Sequence, residues 1–419
     1  MTNASGARGL LPVLLAFALA ACSGGSNSGD EDPVAVPWPP ILPMVPPWLE
    51  PDCDSIAGPA VATLSVDGGI TILPNDEEVA SGTEARTQST ASNPHHGGHV
   101  VAARGTEVYS SWDSGCTWES LASTSEPLRL VGQTYPWGVF GLGERGDRLH
   151  FFPGNRNAGH QDFEIPFHAI DFAPAWLSTL HALTQDGRIM RLEFDDSLRN
   201  ADNWDLVGLT PASGNPRFIA VNPGSSYVGP AHIIITLESG PPSVTFDSGQ
   251  TWTTSADILA EADSVRTGRA HFSNQTSPLG FTEMDVWIAL ERTRTDPESG
   301  TPIHERAIAR STDGGRTFAD VVTDDGEMVR IDDEHFDGRL LATRNNAPGE
   351  LWFPGGGCPD AEPRLYHYQA SDDSLTIISW DAGTIQGIES LAVQEAFELS
   401  GPGRKAIKYL GHGAVGTCD

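Results

Sequence analysis

Ser311-Thr312-Asp313-Gly314-Gly315-Arg316-Thr317-Phe318 is the stretch on which the reading of this chain turns. It fits the pattern Ser/Thr-x-Asp-x-Gly-x-Thr-aromatic, and so do Ser111 to Trp118 (SWDSGCTW) and Thr245 to Trp252 (TFDSGQTW). Ser65 to Ile72 (SVDGGITI) keeps every polar position and changes only the aromatic, and weaker traces occur at Thr184 to Ile189 (TQDGRI) and Ser371 to Ile377 (SDDSLTI). Three full matches to eight residues are far beyond chance, so the chain contains an internal repeat. The residue types suit a tight hairpin. Backbone N–H groups left over by the turn find acceptors in the Asp carboxylate and the Ser/Thr hydroxyl, Gly takes a positive φ closed to residues with a Cβ, and the last aromatic folds under the turn. Around the repeats lie short apolar runs broken by turns, such as AHIIITLESG and MDVWIALERT, which read as strands.

The repeat resembles the Asp box, or BNR repeat, of sialidases and other β-propellers. The resemblance implies an all-β, ring-shaped array of four-stranded blades, with the residues of the box in structural roles: Asp67, Asp113, Gly115, Trp118, Asp247, Gly249, Trp252, Asp313, Gly315 and Phe318. It also implies that the boxes lie on the face away from any binding site. Counting boxes or traces near residues 67, 113, 186, 247, 313 and 373 gives six blades, with seven as the second choice. To close such a ring, the strand around Ala406 to Leu410 is expected to pair near Val61 within one blade.

The N-terminus sets this ring in a compartment. Arg8 precedes the apolar stretch Leu10 to Ala18, which is too short for a permanent membrane span, and Leu19-Ala20-Ala21-Cys22 follows at once. The four residues resemble the bacterial lipobox, which implies a lipoprotein signal peptide over residues 1–21, lipid attachment at Cys22, and a membrane held as partner through that lipid. Ser23 in place of Asp implies, by the family's sorting rule, the outer rather than the inner membrane of the cell envelope. Residues 22–54 are rich in Gly, Ser and then Pro, so they form an extended tether, and the propeller occupies residues 55–419. In an oxidising compartment the remaining Cys53, Cys116, Cys358 and Cys418 are disulfide candidates, and pairing of neighbours in sequence (Cys53 with Cys116, Cys358 with Cys418) is the favoured of three arrangements.

Charge excludes one class of partner. The chain carries 56 Asp and Glu against 25 Lys and Arg, a formal charge of -31, so a nucleic-acid backbone is repelled over most of the surface. Within the sialidase resemblance an Arg triad, an Asp acid/base and a Tyr–Glu nucleophile are implied. The early Arg-Ile-Pro that carries the first of these arginines is missing between Ile56 and Val131, where Arg86 and Arg104 sit in other contexts, and Tyr409 lacks the usual Tyr-Ser setting. No catalytic residue is thereby assigned. His95, His96 and His99 form the densest polar cluster and are the candidate ligands of a divalent metal, set against an ordinary polar loop because Pro94, Gly97 and Gly98 argue against a helix. No other cofactor is indicated. Tyr366 and Tyr368 alternate with His367 along a strand, which suits either a sugar-binding pocket or a blade interface. The reading that results is a non-catalytic envelope module that binds or assembles a protein or glycan, with a sialidase-like glycoside hydrolase on the same scaffold as the alternative.

Overall fold

The computed structural model describes residues 61–64, 70–72, 87–92, 100–111, 119–134, 138–153, 160–175, 179–193, 203–211, 215–222, 230–256, 262–273, 285–331, 349–355, 364–379, 388–396 and 405–412. The lipobox with Cys22, the tether, all four disulfide candidates, the cluster of His95, His96 and His99, and the copies of the repeat around Asp67 and Asp113 (with Gly115 and Trp118) lie outside the described residues.

Among the described residues every extended element is a β-strand, and the strands form seven antiparallel sheets. Taken in chain order, blade 1 covers residues 87–123, blade 2 128–164, blade 3 169–209, blade 4 216–254, blade 5 264–320 and blade 6 350–379. Blade 7 joins Ile388–Ala396 and Lys405–His412 to Val61–Leu64 and Ile70–Ile72. Blades 1 to 5 each run up and down through four neighbouring strands, blade 7 also has four, and blade 6 has three described strands. The protein is a β-propeller. Six sheets have the four strands expected, and with the three-stranded one the sheets number seven, the second of the two counts. Two traces used in the count sit elsewhere: Asp186 lies between the second and third strands of blade 3, and Asp373 between the second and third of blade 6. Blade 2 has no copy of the repeat in its sequence, so counting repeats passes over it.

Burial along the strands follows from this stacking. The second strands of blades 2, 3 and 4 are covered on both faces, and Gly138–Gly143, Thr179–Thr184 and Ile233–Leu237 are buried at every position. Fourth strands form the outer rim, and Gln161–Glu164, Thr253–Thr254 and Ala319–Asp320 are exposed or nearly so. The core is correspondingly split into wedges. Val101, Ala103 and Val108 of blade 1 meet Val139 and Phe152 of blade 2, and Phe140, Leu142 and Phe151 on the other face of blade 2 meet Phe172 and Leu180 of blade 3. Similar wedges join blades 3 and 4, 4 and 5, and 5 and 6.

The ring closes as the sequence predicted. Val61 pairs with Gly411, Ala62 with Leu410, Thr63 with Tyr409 and Leu64 with Lys408, so strands from distant parts of the chain share one sheet. The strand Ile388–Ala396 in turn packs beside Thr87–Ser92 of blade 1. First strands of successive blades neighbour one another from blade 7 through blade 5, which places them around the axis.

Candidate functional site

Among the described residues the full eight-residue motif occurs twice, each time in the turn between third and fourth strands. In blade 5, Asp313 Oδ1 accepts from the Thr317 N–H (2.9 Å) and the Ser311 hydroxyl (2.8 Å), while Oδ2 accepts from the Thr317 hydroxyl (2.8 Å). The Ser311 oxygen accepts in turn from the Gly315 N–H at 2.8 Å. Blade 4 repeats the pattern: Thr251 N–H reaches Asp247 Oδ1 at 2.8 Å, and Gly249 N–H reaches Thr245 Oγ1 at 2.9 Å. Bonds from the hydroxyls of Thr245 and Thr251 hold the Asp247 carboxyl down to about 2, below its usual range. Gly249 and Gly315 have φ of 88° and 92°, in the left-handed region that favours glycine. Phe318 is buried between blades 4 and 5, and Trp252 packs on the wedge between blades 3 and 4 with its indole N–H donated to Leu209 O at 2.8 Å. The Asp carboxylate and the first Ser/Thr hydroxyl of the motif are spent inside their own turn. The motif is a hairpin staple that docks on the preceding blade, through contacts such as Trp252 Nε1 to Leu209 O and His232 Nε2 to Gly314 O.

The opposite end of the ring is different. A first strand begins beside the end of its second strand, next to the second-to-third turn, and therefore far from the motif turns. Arg129 is the second residue of the first strand Leu128–Thr134, Asp171 the third of Ala169–Ala175, and Arg217 the second of Pro216–Val221. In blade 5 the first strand Ser264–Phe272 carries Arg266 and Arg269, with a register shift between Thr267 and Ala270. Such a bulge re-aims a side chain. Arg269 lies within it and reaches past blade 4 to donate to Asp171 Oδ1 in blade 3.

The four innermost strands of blades 2 to 5 thus carry four arginines and one aspartate among their Asp, Glu, Lys and Arg residues, in a chain with more than twice as many acidic as basic residues. Asp171 is completely buried, and its other oxygen accepts the Ile219 N–H of blade 4 at 2.9 Å. Burial pushes this carboxyl above its usual range, opposed by the charges of Arg269 and Arg129 and by the N–H groups of Ile219 and Phe172. Arg129 donates to Ala169 O at 3.0 Å. The Phe218 ring lies under two guanidinium groups, Arg217 at 4.8 Å and Arg269 at 5.7 Å from its centroid. All four arginines are half-buried, so their positive charge is placed near the axis with reduced screening. Flat guanidinium groups with several N–H donors at partly desolvated positions suit a carboxylate, which they can grip through two parallel bonds.

Sequence reasoning missed these residues, because each first strand carries only one or two of them and they come together only across blades. The alternation in the stretch Arg364 to Tyr368 resolves toward packing: Tyr366 and Tyr368 join the wedge between blades 5 and 6, and His367 stacks on Trp352 on the other face at 3.6 Å. Among the described residues no group of three or more His, Cys, Asp or Glu is arranged to hold a metal ion, and no helix is long and apolar enough to cross a membrane.

No protein-family profile and no curated protein matches the chain. Among solved structures it is similar to YCF48 from Cyanidioschyzon merolae at 13% identity and a TM-score of 0.46, over 84% of this chain and 98% of that one. It is also similar to YCF48 bound to a D1 peptide (15% identity, TM-score 0.44, 78% of this chain and 92% of that one). A third is an ancestral GH74 enzyme (14% identity, TM-score 0.46), where the likeness covers 79% of this chain and 48% of the enzyme.

Proposed function

We propose that this protein is a lipid-anchored propeller of the cell envelope that binds, without turning over, a protein or glycan bearing a carboxylate, and that Arg129, Arg217 and Arg269 take the carboxylate at the ring axis. The observation that carries the reading is the reversal of charge: four arginines and one aspartate on the innermost strands of blades 2 to 5, inside a chain of formal charge -31. An anionic ligand is repelled by the outer surface and gains only at the axis, which favours one site and one orientation. A binding reading is preferred over hydrolysis because the carboxylate at the cluster, Asp171, is buried and held by Arg269 and Ile219, so it is not poised as an acid or nucleophile. Lipid attachment at Cys22, and with it the outer-membrane address, rests on the lipobox resemblance.

The experiment is a screen of the chain from residue 55 onward against acidic and neutral peptides and glycans, read for binding and for release from fluorogenic glycosides. Acidic ligands should bind, and replacing Arg217 by Gln should weaken them about tenfold while leaving neutral ligands unaffected. Turnover of a glycoside would favour the hydrolase, and binding indifferent to all three arginines would end the axial assignment. Separately, Cys22→Ala should move the protein from the membrane to the soluble fraction.

A further inference from the structure

A second polar cluster lies in the joint between blades 1 and 2, where the wedge would otherwise be apolar. His150, on the third strand Arg148–Pro153 of blade 2, is completely buried and shares the strand face of Phe152, which packs on blade 1. Its Nδ1 lies 3.0 Å from Nε2 of His160, and the two rings stack with centroids 5.2 Å apart. Its Nε2 points at Oε1 of Glu126, 3.9 Å away, and neither of these two buried atoms has a hydrogen-bond partner. Glu126 belongs to the connection between the two blades, and Gly143 makes room for it: a Cβ at that position would lie 2.5 Å from Glu126 Oε1.

The three groups form a line. One hydrogen is shared between His150 Nδ1 and His160 Nε2, and the arrangement that sets a donor against the carboxylate places the single ring proton of neutral His150 on Nε2 and makes Nδ1 the acceptor from the His160 Nε2–H. A proton arriving at the half-buried His160 then charges the pair without any ring having to turn. Asp162 acts on both imidazoles, and Arg148 on His150. Arg145, on the turn between second and third strands, donates to Glu126 Oε2 at 3.1 Å, and Arg148 Nε is 3.9 Å from Oε1. Arg148 also pairs with Asp162 and Glu164 of the fourth strand, and Asp147 acts on Arg145. Glu126 therefore has two cationic choices: Arg145 on an exposed turn at neutral pH, and the imidazole pair inside the joint in acid.

We propose that Glu126, His150 and His160 form an acid-responsive relay, in which proton uptake at His160 draws the Glu126 carboxylate from Arg145 to the imidazole pair and releases the turn of residues 144–147. That turn is tied into the next blade, since Ala169 N–H donates to Gly146 O at 2.7 Å and Ala169 O accepts from Arg129 at 3.0 Å, so its release reaches the axial arginines. The relay itself does not depend on what those arginines bind. Burial holds both imidazoles below their usual range, which puts the step on the acid side of neutrality.

The test uses the full chain in detergent micelles with labelled imidazoles, titrated by NMR from neutral pH down through about 4, with hydrogen exchange read at residues 144–147. His150 and His160 should shift over one common pH interval, and exchange at the turn should rise at least threefold across it. Glu126→Gln should lower the proton affinity of the pair about tenfold and abolish the pH response of the turn. His160→Gln should leave His150 silent as long as the protein is folded, as judged by unchanged exchange in the strands of blades 3 to 5. Separate titration of the two histidines in the parent, or a turn that responds equally in Glu126→Gln, would overturn the relay.

Discussion

The motif concentrates its stabilisation on a few atoms. Gly315 has φ of 92°, and a Cβ there would stand 2.8 Å from Ile234 Cδ1 of the preceding blade. Gly315→Ala should therefore cost about 2 kcal/mol from the backbone and the contact together, read as a lowered urea midpoint with an unchanged slope. Gly300 is a fair control: φ is 69° but nothing lies within 4 Å, so Gly300→Ala should cost about 1 kcal/mol. At the axis, Arg269→Met leaves the Asp171 carboxyl buried without its ion pair and should destabilise by about 3 kcal/mol at neutral pH in the same assay. These single residues differ in how legible they were. Gly315 announced itself because the turn chemistry is local and repeats in the sequence. Asp171 and Arg269 gave no signal, because the bond between them crosses an entire blade and exists only once the ring has formed.

Among the elements, the motif turns of blades 4 and 5 add polar joints to the apolar wedges between blades. His232, on the second-strand side of blade 4, lies 2.8 Å through Nε2 from Gly314 O inside the blade 5 turn, and stacks on Phe246 with centroids 4.3 Å apart. His232→Phe keeps the stacking and loses the donor, so Gly314 O is left buried. A loss of about 1–2 kcal/mol should follow, with faster hydrogen exchange at residues 311–318 than in blade 2. The same elements explain what the sequence could and could not reveal. Strands and ring closure were readable, since short apolar runs alternate with turns and the motif recurs. The place of the motif within each blade was less so, because Thr184-Gln185-Asp186-Gly187 imitates it at the second-to-third turn. There Asp186 accepts from Arg188 Nε at 2.8 Å. Blade 2, meanwhile, joins its third and fourth strands through residues 154–160 with no Asp-x-Gly at all.

Acidity acts on the whole molecule through its interior imidazoles. Burial above all holds His150, His181 and His232 down to about 4, against 6.5 for an exposed histidine. The unfolded chain takes up these protons first. Stability from this source is full above about 6.5 and drains as the pH falls toward 4, so the thermal midpoint should drop steadily over that window, and His181→Leu should flatten the drop. Closure is the second property of the whole. Removing residues 405–412 takes away the strand between Val61–Leu64 and Ile388–Ala396, and should replace a single cooperative unfolding step by broad, separate transitions.

That closure also sets an order of events in time. Leu64 is synthesised early and Lys408 late, yet they face each other in the finished sheet, so the first described strand must wait with an open edge until the other described strands have been made. The wedges between blades 1 and 5 can condense meanwhile, since each joins neighbours in sequence, but the final seam requires a loop containing most of the protein to be shut at once. Maturation of this protein should accordingly end in one slow, concentration-independent locking step, and whatever guards the nascent chain must shield Val61–Leu64 longest of all.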